Sequence, residues 1–293
     1  MEWTFERVVG PYSGEAHGLV WDGEAILFSL VTENRILRYH PGTKRVAELR
    51  KYTCGTRGLA FDAEGYLYGC QSSARRIARF NPDGSVCMLA DRLDGRLHNQ
   101  PYNLAVDRIG RIWFTDPEPA LRMMEPPVDH ASVLRLERHG SGAWMIKRMT
   151  YDTLFPTAIA FSKDQRSVFV ADNPSDDSKP SELRTYALRP DDSLGPPAVM
   201  QSFPAGGGVN GMCVTSDGSL VLCLGAGRSS ILAVLSSIGD VVSWHPFGPG
   251  EPINCAIGGK DMTTLYITSS DGCLYRVENF ASESTCGARL RGA

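Results

Sequence analysis

Six positions in this chain have the chemistry and the spacing to line one polar ring: His17, Arg57, Tyr102, Thr157, Asn210 and Ile253. Each stands directly ahead of a short apolar run, opening on Gly18, Gly58, Asn103, Ala158, Gly211 or Asn254. Five of the six are polar or aromatic, in front of segments otherwise built for burial. An imidazole, a guanidinium, a phenol and several amides can hold an oxygen-rich ligand and move a proton near neutral pH. His17 is the natural acid/base of such a set. Arg57 would steady a carbonyl or phenolate oxygen, and Tyr102 would donate a hydrogen bond or stack on a ring. The candidate site is therefore His17 and Tyr102 as catalytic groups, with Arg57, Asn103, Thr157, Asn210 and Asn254 holding substrate.

What would gather these distant residues is a repeat. An apolar strand, a polar turn usually carrying Gly and Asp, and a second apolar strand recur six times, as in GLVWDGEAILFS from Gly18, GLAFDAEGYLYG from Gly58 and GMCVTSDGSLVLC from Gly211. The copies start 40 to 55 residues apart, the period of a four-stranded propeller blade with variable loops. A third strand follows each copy, for example NRILRYHP and GCLYRVEN, alternating apolar and polar residues and ending in turn formers. Helical periodicity is nearly absent. The expectation is all-β: a six-bladed β-propeller of four-stranded antiparallel blades, one domain over 1–293, frayed from about 281. The last repeat ends one strand short near Arg276, so the segment 3–9 is expected to supply the missing outer strand and close the ring.

In such a ring the residue ahead of each inner strand sits on one rim of the central channel, so the six positions form a binding mouth. Two insertions break the period, PEPALRMMEPPVDHA after Asp116 and ADNPSDDSKPSE after the fourth copy. Both are placed to cover that mouth. Leu121, Met123 and Met124 would be costly to leave in water, and Met123 and Met124 are expected to touch ligand.

Composition excludes several classes of function. A formal charge of −3 and 22% charged residues give no electrostatic reason to bind nucleic acid or an anionic membrane. No apolar run is long enough to span a bilayer, and the N-terminus lacks the basic-then-apolar order of a secretory signal. A cytoplasmic protein, monomeric or a weak homo-oligomer, with a small-molecule substrate is expected. The 8 cysteines occur singly, without a C-x-x-C pair, and read as reduced and structural. There is no G-x-S-x-G elbow, phosphate loop or H-E-x-x-H. His98 and His130 are the other histidines near the mouth.

The phrases RLHNQPYNLAVDRIGRIWFTDP, LFPTAIAFSKDQRSVFVAD, GVNGMCVTSDGSL and INCAIGGKDMTTLYIT resemble the gluconolactonase and regucalcin (senescence marker protein) family of six-bladed propellers over essentially the whole chain. The resemblance implies a divalent cation, usually calcium, in the mouth, held by a Glu, an Asn and an Asp. Those positions here carry His17, Thr157 and Asn210, and the family's Pro-Asn-Asp is Pro101, Tyr102 and Asn103. A neutral imidazole, a hydroxyl and an amide bring no anionic charge, and calcium has little affinity for imidazole. The expectation is therefore no metal and no cofactor. The enzyme would act by acid/base and hydrogen-bond catalysis on a small cyclic, oxygen-rich compound, a specialised metabolite, by dehydration, cyclisation, cycloaddition or metal-free lactone opening. One alternative is a calcium-dependent lactonase using Glu15, Asp116 or Asp172 as substitute ligands. Another is a ligand-binding propeller without catalysis. For Asp116 and Asp172 the competing reading is structural, as acceptors that hold strand ends and turns.

Overall fold

The apolar runs of each repeat are too short for helices, and Gly, Asn and Asp punctuate them, so the chain reverses repeatedly into short antiparallel strands. The computed structural model describes residues 3–118, 128–140, 142–176, 178–225 and 230–280. These residues form six four-stranded sheets and one two-stranded hairpin, Arg92–Leu93 with Arg96–Leu97. The first five sheets take their strands in chain order from innermost strands Ala16–Trp21, Thr56–Phe61, Leu104–Val106, Pro156–Phe161 and Gly208–Val214. The fold is the expected all-β six-bladed propeller.

The sixth blade runs Pro252–Gly258, Thr264–Ser269, Leu274–Val277 and then Glu6–Val9 from the other end of the chain. Glu6 lies opposite Arg276 and Val9 opposite Leu274, and the Glu6 carboxylate accepts from Nε of Arg276 at 2.8 Å. Just upstream, Trp3 stacks on His245 with ring centroids 3.8 Å apart. Since His245 belongs to the outer strand of blade 5, the N-terminal segment ties two blades together.

The core is divided among the seams. Six apolar clusters each draw from two neighbouring blades, such as Leu27, Ile36, Leu59 and Leu67 between blades 1 and 2, and Trp113, Val133, Ile159 and Val170 between blades 3 and 4. Each sheet thus buries both faces against its neighbours, which is why the second strands are buried along nearly their whole length, and ILFSL, LYGCQ and IWFTD at every residue.

One detail departs from the expected layout. His17, Arg57, Thr157, Asn210 and Ile253 lie inside the innermost strands, one or two residues past their starts. The pairing register slips at this point in five blades, between His17 and Leu19, Thr56 and Leu59, Pro156 and Ala158, Val209 and Gly211, and Pro252 and Asn254. A bulge of this kind leaves a residue outside the ladder and re-aims its side chain. Thr157, Asn210 and Ile253 are such skipped residues.

Candidate functional site

The inner strands approach one another closely at the mouth. A Cβ on Gly18 would lie 2.0 Å from the Arg57 carbonyl oxygen, and one on Gly211 would lie 2.6 Å from that of Ile253. No side chain fits at either place, so glycine there allows the backbones of adjacent blades to touch. Hydroxyls and amides then bracket the blades. Ser29 Oγ donates to the Arg57 carbonyl at 2.8 Å, Thr157 Oγ1 to the Val209 carbonyl at 2.8 Å, and Asn210 Nδ2 to the Pro252 carbonyl at 3.1 Å.

Much of the polar ring is occupied in this way. Thr157 Oγ1 also accepts from Asn173 Nδ2 at 2.9 Å, while Asn103 and Asn254 turn their amide oxygens onto the next backbone N–H, of Leu104 and Cys255, each at 2.9 Å. Asn173, a bracket between Thr157 and Val209, was not singled out from sequence. Its only signal is its place one residue after the strand end at Asp172. Met123 and Met124 lie outside the described residues.

A column of four side chains remains. Glu15 Oε2 lies 3.7 Å from Arg57 Nη1. The Arg57 guanidinium carbon sits 4.7 Å from the centroid of the Tyr102 ring, and Tyr102 meets His17 edge to face at 5.0 Å and 78°. His17 is fully buried, and neither ring nitrogen has a hydrogen-bond partner. Burial first, and then the Arg57 charge, hold its pKa well below the ordinary 6.5, so the imidazole is neutral at pH 7. The expectation that it exchanges protons near neutrality does not hold for the imidazole as it is buried here. Burial also raises the Tyr102 phenol above its ordinary value, more than Arg57 draws it back.

The sequence from residue 15 to 271 matches the family described as SMP-30/Gluconolactonase/LRE-like region. The chain belongs to this family. It is 24% identical over 232 residues to a gluconolactonase of Zymomonas mobilis, covering 74% of this chain and 61% of that protein; it thus spans under two thirds of that relative's length. A gluconolactonase structure from Xanthomonas campestris superposes with a TM-score of 0.81 at 28% identity, covering 94% of this chain and 89% of that one. Regucalcin from Agrobacterium tumefaciens, a calcium-binding protein, superposes with a TM-score of 0.74 at 14% identity over 94% of this chain and 93% of that one, a likeness of fold.

In this SMP-30/gluconolactonase chain the three substitute carboxylates form no common group among the described residues, and each has a protein partner, although Oδ1 of Asp116 is buried without one. Glu15 is turned outward onto Arg57 and is half exposed. Asp172, fully buried, accepts from the backbone N–H of Phe155 at 2.6 Å and of Leu154 at 3.0 Å, with Arg184 at 3.3 Å; burial lifts its pKa despite those donors. Asp116 accepts the Asn99 N–H at 2.8 Å, and burial lifts it to about 7. Its neighbour His98, 4.0 Å away, has neither ring nitrogen bonded, and burial lowers it to about 3. His130 instead meets Ser132 Oγ at 3.1 Å. Among the described residues no three His, Cys, Asp or Glu side chains are grouped so as to hold a metal ion.

Proposed function

We propose that the protein opens lactone rings, as a gluconolactonase-like hydrolase that works through its own side chains and without calcium. The observation that carries this reading is the column Glu15, Arg57, Tyr102 and His17, with a buried neutral imidazole at its foot. Hard-oxygen coordination is poorly served by these residues. The hydroxyl of Thr157 is engaged twice and Asp172 is spent on backbone N–H groups, while Asp116 offers a single unbonded oxygen, Oδ1, and belongs to no group of three potential metal ligands among the described residues.

In the proposed reaction a lactone displaces the Tyr102 ring from above His17, and Arg57 turns its guanidinium to the carbonyl oxygen. Water adds to the carbonyl carbon while its proton passes to an unbonded ring nitrogen of His17. The negative charge that develops on the carbonyl oxygen pairs with Arg57, which offsets the Arg57 repulsion, while displacement of Tyr102 admits water to relieve the larger effect of burial on the imidazolium. The ring C–O bond then breaks, and the departing alkoxide takes the proton back from His17, giving a hydroxy acid and the starting enzyme. Tyr102, with its raised pKa, stays a phenol and a hydrogen-bond donor throughout.

The test is proton release from a panel of γ- and δ-lactones by protein dialysed against chelator. Ring opening is expected to survive dialysis, and H17Q is expected to lower kcat by about 10². Activity that disappears on chelation and returns with calcium would overturn the metal-free reading. Undiminished turnover by H17Q would remove His17 from the chemistry.

A further inference from the structure

Blades 5 and 6 meet along their innermost strands, Gly208–Val214 and Pro252–Gly258. Two thiols face each other across this seam: Cys255 Sγ lies 3.5 Å from Cys213 Sγ and 3.5 Å from the Val221 carbonyl oxygen. Cys223 belongs to the same apolar cluster, so three cysteines from two blades share one place. They differ in access. Cys223 and Cys255 are buried, whereas Cys213 is partly exposed.

We propose that Cys213 and Cys255 form an oxidation-driven disulfide that staples blade 5 to blade 6, with a hydroperoxide as the oxidant. Cys213, the partly exposed residue of the pair, is assigned as the first to be oxidised. Its thiolate attacks the peroxide O–O bond, forms a sulfenic acid, and releases the leaving oxygen as water or alcohol. Cys255, already in contact, attacks that sulfur and expels water. Two thiols are thereby oxidised and one peroxide reduced, two protons and two electrons in each case. The contact with Cys255 and burial both hold the Cys213 thiol well above its usual pKa, so the first step is slow at neutral pH and accelerates as pH rises. The staple would lie on the two strands that carry Asn210 and Asn254, the bracket residues of the mouth.

The experiment treats the whole folded protein with hydrogen peroxide at pH 7 and pH 9, blocks free thiols with N-ethylmaleimide, and maps tryptic peptides without reduction. The expected product is a linked peptide pair about 2 Da lighter than the two thiol peptides, reversed by dithiothreitol and forming faster at pH 9. No Lys or Arg separates Cys213 from Cys223, so C213S and C223S identify the partner: the link must vanish in the first and persist in the second. A link that persists in C213S overturns the assignment. Cys213 carried to sulfinic acid while Cys255 remains open to alkylation, or no oxidation of either residue, overturns it equally.

Discussion

His17 and His98 show how the same residue type is set to different tasks by its surroundings. In the closed mouth His17 is neutral through physiological pH, so a base that starts neutral gives a kcat/KM profile without the usual inflection near 6.5. Activity is expected to hold flat to lower pH, and a pH–rate profile that bends at 6.5 would count against His17 as base. The pair His98 and Asp116 makes a separate claim on stability. His98, at about 3 when folded against 6.5 ordinarily, binds fewer protons in the folded state, so its contribution is complete above pH 6.5 and lost as pH falls. Asp116, at about 7 against 3.8, binds more protons in the folded state, so its contribution is present below 3.8 and lost as pH rises towards 7. The two slopes have opposite sign over nearly the same window and largely cancel. Chemical denaturation from pH 4 to 7 is therefore expected to show a stability loss in H98F and a stability gain in D116N, each of a few kcal/mol. Parallel curves for the two variants would refute the pairing. His17 was legible from sequence by its place before GLVWDG. The His98–Asp116 contact was not, because it depends on how the loop 96–103 folds back onto a strand end.

The inner strand with its bulge is the element that decides what the mouth presents. The repeat period and turn residues marked the six inner strands, but placed the starts late in five blades, since His17, Arg57, Thr157, Asn210 and Ile253 lie within the strands. The use of their hydrogen bonds was hidden: an Asn or Thr beside a glycine reads the same whether it faces ligand or brackets the next blade. Thr157 is the sharpest case, with its hydroxyl held between Val209 and Asn173. T157V should lower the unfolding free energy by about 1–3 kcal/mol, the cost of leaving buried partners unbonded, while KM for a turned-over lactone changes less than about twofold. Urea denaturation and steady-state kinetics on the same preparation decide this. A large rise in KM at unchanged stability would make Thr157 a substrate ligand instead.

At the scale of the whole molecule, the closing strand was readable because the last repeat is visibly one strand short and WTFERVV is the only spare apolar segment at the other end. Removing residues 1–9 takes away Trp3 and Val9, both buried, and leaves the outer edge of Leu274–Val277 unpaired. A fall in melting temperature of about 10 °C is expected, from several kcal/mol of lost burial and pairing; a scan within a degree or two of the parent would show that the ring does not rely on this strand. The same clasp also sets a clock. Glu6 and Arg276 are 270 residues apart in the chain, so during synthesis the first strand made waits for nearly the last. At ordinary rates of translation that wait lasts roughly 15–55 s. For that time the growing chain carries the unpaired edges of an unclosed ring, open to pairing with other strands. Moving the closing strand to follow the last blade would abolish the wait while leaving the strand its neighbour Leu274–Val277.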